Sequence, residues 1–254
     1  MVHGEVRGQR LSPDHFRIYL FRRTLLVMID ASEAESHLGA ADPVIGRLIA
    51  SHGPFAMRVD PEDPFLSLSR SIVFQQLSGK AAGTIFRRYL TLFDGAGVVS
   101  ESSVPRTDPT WAPMSERAPE PGAVLAKTDE ELRAVGLSRQ KTAALRDLAT
   151  YFAAGELSAE LFHAWGDEEI IAHLTRVRGI GRWTAEMYLM FHLGRPDVLP
   201  VNDVGINRAI QHLYGMETMP KPVEVQRIGE PWRPWATVAC WYLWRSGDVR
   251  LPTG

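Results

Sequence analysis

Three groups of residues in this chain could do chemistry. The run Leu174-Thr-Arg-Val-Arg-Gly-Ile-Gly-Arg-Trp-Thr-Ala185 sets Gly179 and Gly181 between two segments of helical periodicity. A Gly-x-Gly there removes two Cβ atoms from a tight turn, so backbone can come close to a ligand. The second helix starts at the turn, and its N-terminal N–H groups and positive dipole end make a ready site for a phosphate oxygen. A dinucleotide-binding reading needs a strand before the glycines and a third glycine after them; here Asp167 to Leu174 is helical in pattern and position 184 is Thr. What remains is an αα-hairpin, either one that grips phosphate or one whose glycines serve only the turn and whose Ile180 pins it to the core. The second group is Asn202-Asp203, about twenty residues further on and just after Leu199-Pro200. Val204 to Leu213 is helical in pattern, so taken alone Asp203 reads as a helix N-cap, unless Asn202 caps and leaves the carboxylate for other work. The third is aromatic: five of the seven tryptophans lie between Trp183 and Trp244. Trp235, Trp241 and Trp244 recur at the spacing of helix-packing residues, and the same faces can receive an electron-poor ring.

The bulk of the chain allows these groups to be placed on a folded body. With 254 residues, 45% of them apolar and 23% charged, it can bury a full core as one large domain or two lobes around a common cleft. Cys240 is the only cysteine, which rules out an internal disulfide, a four-cysteine iron–sulfur cluster and a thiolate-rich zinc site. No metal site is expected. The longest early apolar run, Leu25 to Ile29, is too short for a signal-peptide core or a membrane span, so a cytoplasmic location without membrane attachment is expected. The formal charge of −2 does not by itself point to nucleic acid. Arg176, Arg178 and Arg182 fall within seven residues, however, and make either a local basic patch or a solvated charged face.

Helical text dominates the elements that must position these groups, and the fold class is mainly α. Residues 1–40 carry weak strand text from His15 to Ile29 and are expected to hold at most a short β remnant. Residues 41–254 read as the helical body. One helix is expected from Pro64 to about Gln75, and Ser78 can cap a second that ends near Gly95. From about 95 to 122 five prolines with many Ser, Thr and Glu read as a flexible surface insertion. Thr128 to Glu131 forms a capping box, and Ser138 and Asp167 open further helices. Later ones are expected from Trp183 to His192, Asp203 to Tyr214, and Pro234 to Arg245 with Pro234 in the first turn.

Together, Arg178-Gly-Ile-Gly-Arg-Trp-Thr-Ala185 and Leu199-Pro-Val-Asn-Asp-Val-Gly-Ile206 resemble the helix-hairpin-helix (HhH-GPD) DNA glycosylase superfamily, with its Gly/Pro-rich loop and aspartate. Within it, Ile72-Val-Phe-Gln-Gln-Leu-Ser-Gly-Lys-Ala81, Leu137-Ser-Arg-Gln-Lys141 and Pro234-Trp-Ala-Thr-Val-Ala-Cys-Trp-Tyr242 are similar to the 3-methyladenine DNA glycosylase II branch. The resemblance implies a two-lobed helical fold with the hairpin motif at about 168–192. It further implies a monomer that flips alkylated bases such as 3-methyladenine and 7-methylguanine out of double-stranded DNA and hydrolyses the N-glycosidic bond. Asp203 would be the catalytic carboxylate, stabilising an oxocarbenium-like sugar and orienting water. Alkylation at N3 or N7 makes the base cationic and a good leaving group, so one carboxylate can suffice. Trp183, Met187 and Trp241 fall at base-pocket positions, Met187 where a bacterial member has a tyrosine. Gln76 falls at the position of the wedge that fills the gap left by a flipped base. Ser78, Lys80, Gly179, Ile180, Gly181 and Thr184 would meet the DNA backbone.

Bifunctional members carry a lysine two residues after the final glycine of the hairpin, where this chain has Trp183, so no lyase step is expected. No redox cofactor is implied, and a monovalent cation on the hairpin carbonyls is a feature of family members. A non-catalytic DNA-binding module and a glycosylase for deaminated or mismatched bases stay open as alternatives.

Overall fold

Capping side chains and apolar stripes set the helices of this protein, seen in a computed structural model that describes residues 16–21, 24–60, 62–93 and 118–247. The weak strand text divides into β1 (Phe16–Phe21) and β2 (Thr24–Ile29), paired antiparallel with Phe16 opposite Ile29 and Phe21 opposite Thr24. Among the described residues there is no larger sheet. Helix begins earlier than position 41: α1 (Ala31–Ala41) starts where Asp30 accepts the Glu33 N–H at 3.1 Å, and it buries Ala34 and Leu38.

The described helices fall into two compact units. One draws on residues up to Asp60 and from Glu186 onward, and the other on Glu62 to Ala185. The first unit contains α1, α2 (Pro43–His52), α11 (Val204–Leu213), α12 (Pro222–Gly229), a 3-10 turn (Glu230–Trp232) and α13 (Ala236–Arg245). Every residue of α13 from Ala236 to Trp244 is buried, so this helix has no solvent stripe and forms the core against which α1, α2 and α11 pack. Pro234 is not in its first turn as expected. The helix starts two residues later because residues 196 and 197 supply the first acceptors: Ala236 N–H donates to Asp197 Oδ1 at 3.3 Å and Thr237 N–H to Pro196 C=O at 2.9 Å.

Asp42 ties this unit together. Its Oδ1 accepts the Val44 N–H at 2.8 Å and the Ile45 N–H at 3.4 Å, capping α2, while Oδ2 accepts from Tyr214 OH at 2.5 Å and Trp232 Nε1 at 2.8 Å. Burial pushes the Tyr214 phenol above its ordinary 10.0, and the Asp42 carboxylate adds to the effect. Burial does the same to Tyr242, with Glu35 adding, and to Tyr89. A phenol held neutral in the fold contributes stability that is complete below its unfolded pKa and is lost as pH rises beyond it. Unfolding free energy should therefore fall as pH climbs past about 10, and Tyr242→Phe should flatten that slope by up to ~1.4 kcal/mol per pH unit in urea titrations. An unchanged slope would mean that the phenol titrates alike in both states.

The second unit contains α3 (Pro64–Phe74), α4 (Gly79–Thr91), α5 (Pro121–Ala126), α6 (Asp129–Ala134), α7 (Arg139–Ala153), α8 (Ala159–Ala164) and α9 (Asp167–Leu174). Helix α10 (Arg182–Phe191) begins here and runs into the first unit. Helix α7 is central, packing against α3, α5 and α6. The capping box forms as read: Thr128 Oγ1 accepts the Glu131 N–H at 3.2 Å and Glu131 accepts the Thr128 N–H at 2.8 Å. The proline-rich insertion lies outside the described residues from 94 to 117; its far end is ordered as α5, with Pro121 in the first turn. No described helix is long and apolar enough to cross a membrane.

Candidate active site

The hairpin joins α9 to α10 through residues 175–181. Gly179 has a φ of +81°, and a Cβ there would also stand 3.2 Å from the Ala144 methyl, so this position calls for glycine. Gly181 differs, because a Cβ there would meet nothing within 4 Å; its missing side chain leaves room outside the protein rather than inside it. Ile180 is 4% exposed and pins the turn to the core, so its side chain does not reach a ligand and only its backbone lies at the turn. The first amide of the new helix to bond within it is that of Ala185, donating to Gly181 C=O at 3.1 Å, which makes this turn the positive end of α10. Asp147 accepts the Arg178 N–H at 2.7 Å and fixes the turn against α7. The local basic run is partly neutralised: Arg176 pairs with Glu156 and Arg182 with Glu168, while Arg178 is exposed with no ion-pair partner among the described residues.

The loop between α3 and α4 is tied to the same hairpin. Gln75 Nε2 donates to Gly179 C=O at 2.9 Å. Lys141 Nζ donates to the carbonyls of Val73 at 2.6 Å and Gln75 at 2.8 Å, closing the C-terminus of α3; burial lowers its pKa. Gln76, exposed, is the one non-glycine residue with positive φ (58°) among the described residues, a backbone state that costs of order 1–3 kcal/mol and is typical of functional turns. Leu77 beside it is 41% exposed. Ser78 occupies the cap position of α4, but contrary to expectation its side chain makes no capping hydrogen bond. Ser78 and Lys80 are both exposed.

On α10, Trp183 is 39% exposed, Thr184 and Met187 are half-buried, and Trp183 and Met187 share a helix face at i, i+4 spacing.

In the first unit the loop that carries Asp203 is clipped to α13. Thr237 Oγ1 donates to Arg195 C=O at 2.7 Å and accepts the Val198 N–H at 3.0 Å. Asp203 itself is 5% exposed and, not Asn202, is the N-cap of α11; Asn202 is exposed. Its Oδ1 accepts the Ile206 N–H at 2.8 Å and Trp244 Nε1 at 3.1 Å. A carboxylate has about four acceptor positions, so capping does not exhaust it. Trp244, which its spacing marks as core, is thus a second holder of the carboxylate. Burial pushes the Cys240 thiol far above its ordinary value, and Asp203, Glu186 and Asp197 add to this, so Cys240 is no nucleophile. Trp241, one turn before Trp244 on α13, is buried.

A family model described as "HhH-GPD superfamily base excision DNA repair protein" matches residues 69–234. The chain belongs to the HhH-GPD superfamily. Among its curated relatives, DNA-3-methyladenine glycosylase 1 of Schizosaccharomyces pombe is 29% identical over 226 residues, covering 88% of this chain and 90% of that one. A solved structure of the 3-methyladenine DNA glycosylase of the same yeast in complex with abasic DNA superposes with a TM-score of 0.67 at 30% identity, over 87% of this chain and 98% of that one. The DNA-3-methyladenine glycosidase of Bacillus halodurans gives 0.70 at 34% identity, over 85% and 89%. The matched segment contains both the turn around Gly179 and Gly181 and the loop from Leu199 to Asp203.

Proposed function

We propose that this HhH-GPD protein is a monofunctional alkylbase DNA glycosylase of base excision repair, acting as a monomer on duplex DNA in the cytoplasm. The observation that carries this reading is Asp203: a buried carboxylate fixed by a helix N-terminus and an indole N–H, on a loop that resembles the family's Gly/Pro-rich loop with its aspartate. As the glycosidic bond breaks, positive charge grows on the sugar, and a pre-positioned carboxylate stabilises it without reorganising. The same group orients water for attack on the sugar carbon, leaving an abasic site and a free base. A base alkylated at N3 or N7 departs neutral, so no general acid is required.

The hairpin supplies the grip on the strand through the α10 N-terminus and Arg178. Gln76, with Leu77 next to it, supplies the wedge on a loop that Gln75 and Lys141 hold in place. Trp183, Met187 and Trp241 are each proposed to contact the flipped base. The reaction calls for no redox cofactor. The carbonyls of Val177 and Gly179 are donors for a monovalent cation, each with a lone pair beyond the N–H it already accepts. Such an ion would add positive charge at the phosphate contact.

Trp183 in place of an amine supports hydrolysis without strand cleavage. Purified protein is expected to release free 3-methyladenine from methylated duplex DNA and to leave uracil- and mismatch-containing duplexes intact. Borohydride is expected to trap no covalent protein–DNA adduct. An adduct would overturn the monofunctional assignment, and uracil release faster than methylated-base release would overturn the substrate class.

A further inference from the structure

Trp241 has no open face. It is 3% exposed, and the guanidinium of Arg245, one helical turn further along α13, lies over the indole with its carbon 4.6 Å from the ring centroid. Phe55 meets the same indole edge to face at 5.2 Å. The Phe55 side is fixed, because its N–H donates to Glu35 at 2.5 Å and Tyr242 OH donates to the same carboxylate oxygen at 2.8 Å. Arg245 is exposed, whereas Phe55 is held through Glu35. The covering group that can leave is therefore the arginine.

We propose that Arg245 is a specificity-determining residue: its guanidinium holds the Trp241 face in the free protein and must be displaced by the flipped base. This rests on Trp241 being a wall of the base pocket. Indole is the aromatic face that binds cations best. A purine methylated at N3 or N7 carries a positive charge and replaces one cation–π contact with another. A neutral purine offers only stacking in exchange, so it wins the face less often. A cationic base already holds the face in most complexes, so losing the arginine leaves its release nearly unchanged, whereas a neutral base holds it only part of the time and gains when the competing guanidinium is removed.

The test uses the full chain and two duplexes, one holding 7-methylguanine (cationic) and one hypoxanthine (neutral), in single-turnover assays. Arg245→Gln is expected to raise hypoxanthine release about three- to tenfold and to change 7-methylguanine release by less than about twofold. Arg245→Lys keeps the cation and is expected to stay within about twofold of wild type on both. Matching thermal melts show that each variant is folded. A hypoxanthine rate in Arg245→Gln at or below that of wild type, an equal gain in Arg245→Lys, or parallel changes on both lesions would overturn the proposal while leaving the glycosylase reading intact. Wild type that releases neither lesion nor 3-methyladenine would remove both.

Discussion

Asp203→Asn is expected to lower 3-methyladenine release by about 10²- to 10³-fold, the usual cost of removing one pre-organised electrostatic group from a transition state. The asparagine keeps an acceptor oxygen in place of Oδ1, so the Ile206 amide and the Trp244 indole keep their partner, and Asn caps helices as well as Asp does. Stability should therefore move by no more than about 1–2 kcal/mol. Asp203→Ala behaves differently. It removes the cap, at ~1 kcal/mol, and leaves the buried Trp244 N–H without this acceptor, at a further ~1–3 kcal/mol. Single-turnover rates with enzyme in excess isolate the chemical step, and urea denaturation reads stability on the same samples. A large activity loss in both variants with a large stability loss only in Asp203→Ala separates the chemistry from the cap. Equal release by wild type and Asp203→Asn would reduce Asp203 to the structural role that its position alone suggests.

How far the sequence discloses this site depends on the range of the interactions. The hairpin glycines, the Thr128 capping box and the starts of α3 and α7 depend on residues at most a few positions apart, and they are legible for that reason. Asp203 is legible as a cap for the same reason, and the resemblance of its loop to the family's Gly/Pro-rich loop is what proposes a catalytic role for it. What holds it is not legible, since Trp244 lies 41 residues away and its spacing on α13 reads as packing. The same applies to Lys141, whose ammonium closes α3 from 66 and 68 residues along the chain, and to Gln75, which reaches the hairpin across 104. Such contacts are set by the packing of whole helices, which periodicity does not record. Helix α1 is not legible because its buried side is only Ala34 and Leu38, too thin a stripe to stand out beside the strand text before it. Asn202 is not the cap, and the second oxygen of the Asp203 carboxylate leaves acceptor positions beyond the cap itself.

Asp42→Ala is expected to destabilise the protein by roughly 3–5 kcal/mol while leaving base release per folded molecule unchanged. Asp42 and Asp203 look alike: each is buried, caps a helix and accepts a tryptophan N–H. Asp42 receives four donors across both oxygens, including the phenol of Tyr214. Removing it costs the α2 cap, about 1 kcal/mol, deprives the buried Trp232 Nε1 of its acceptor at ~1–3 kcal/mol, and takes the partner of the half-buried Tyr214 OH at about 1 kcal/mol. Asn does not rescue this site, because its amide NH2 in place of Oδ2 would face the indole N–H, donor against donor. Asp42→Asn should therefore still cost ~1–3 kcal/mol, seen as a lower urea midpoint at unchanged slope. Rates must be compared at a temperature and denaturant concentration where the variants remain folded. A normal midpoint with lost base release in Asp42→Ala would reverse the roles given to the two aspartates. The opposite pattern leaves the chemistry with the aspartate on the Gly/Pro-rich loop and makes Asp42 the bolt that joins α2 to Tyr214 and Trp232.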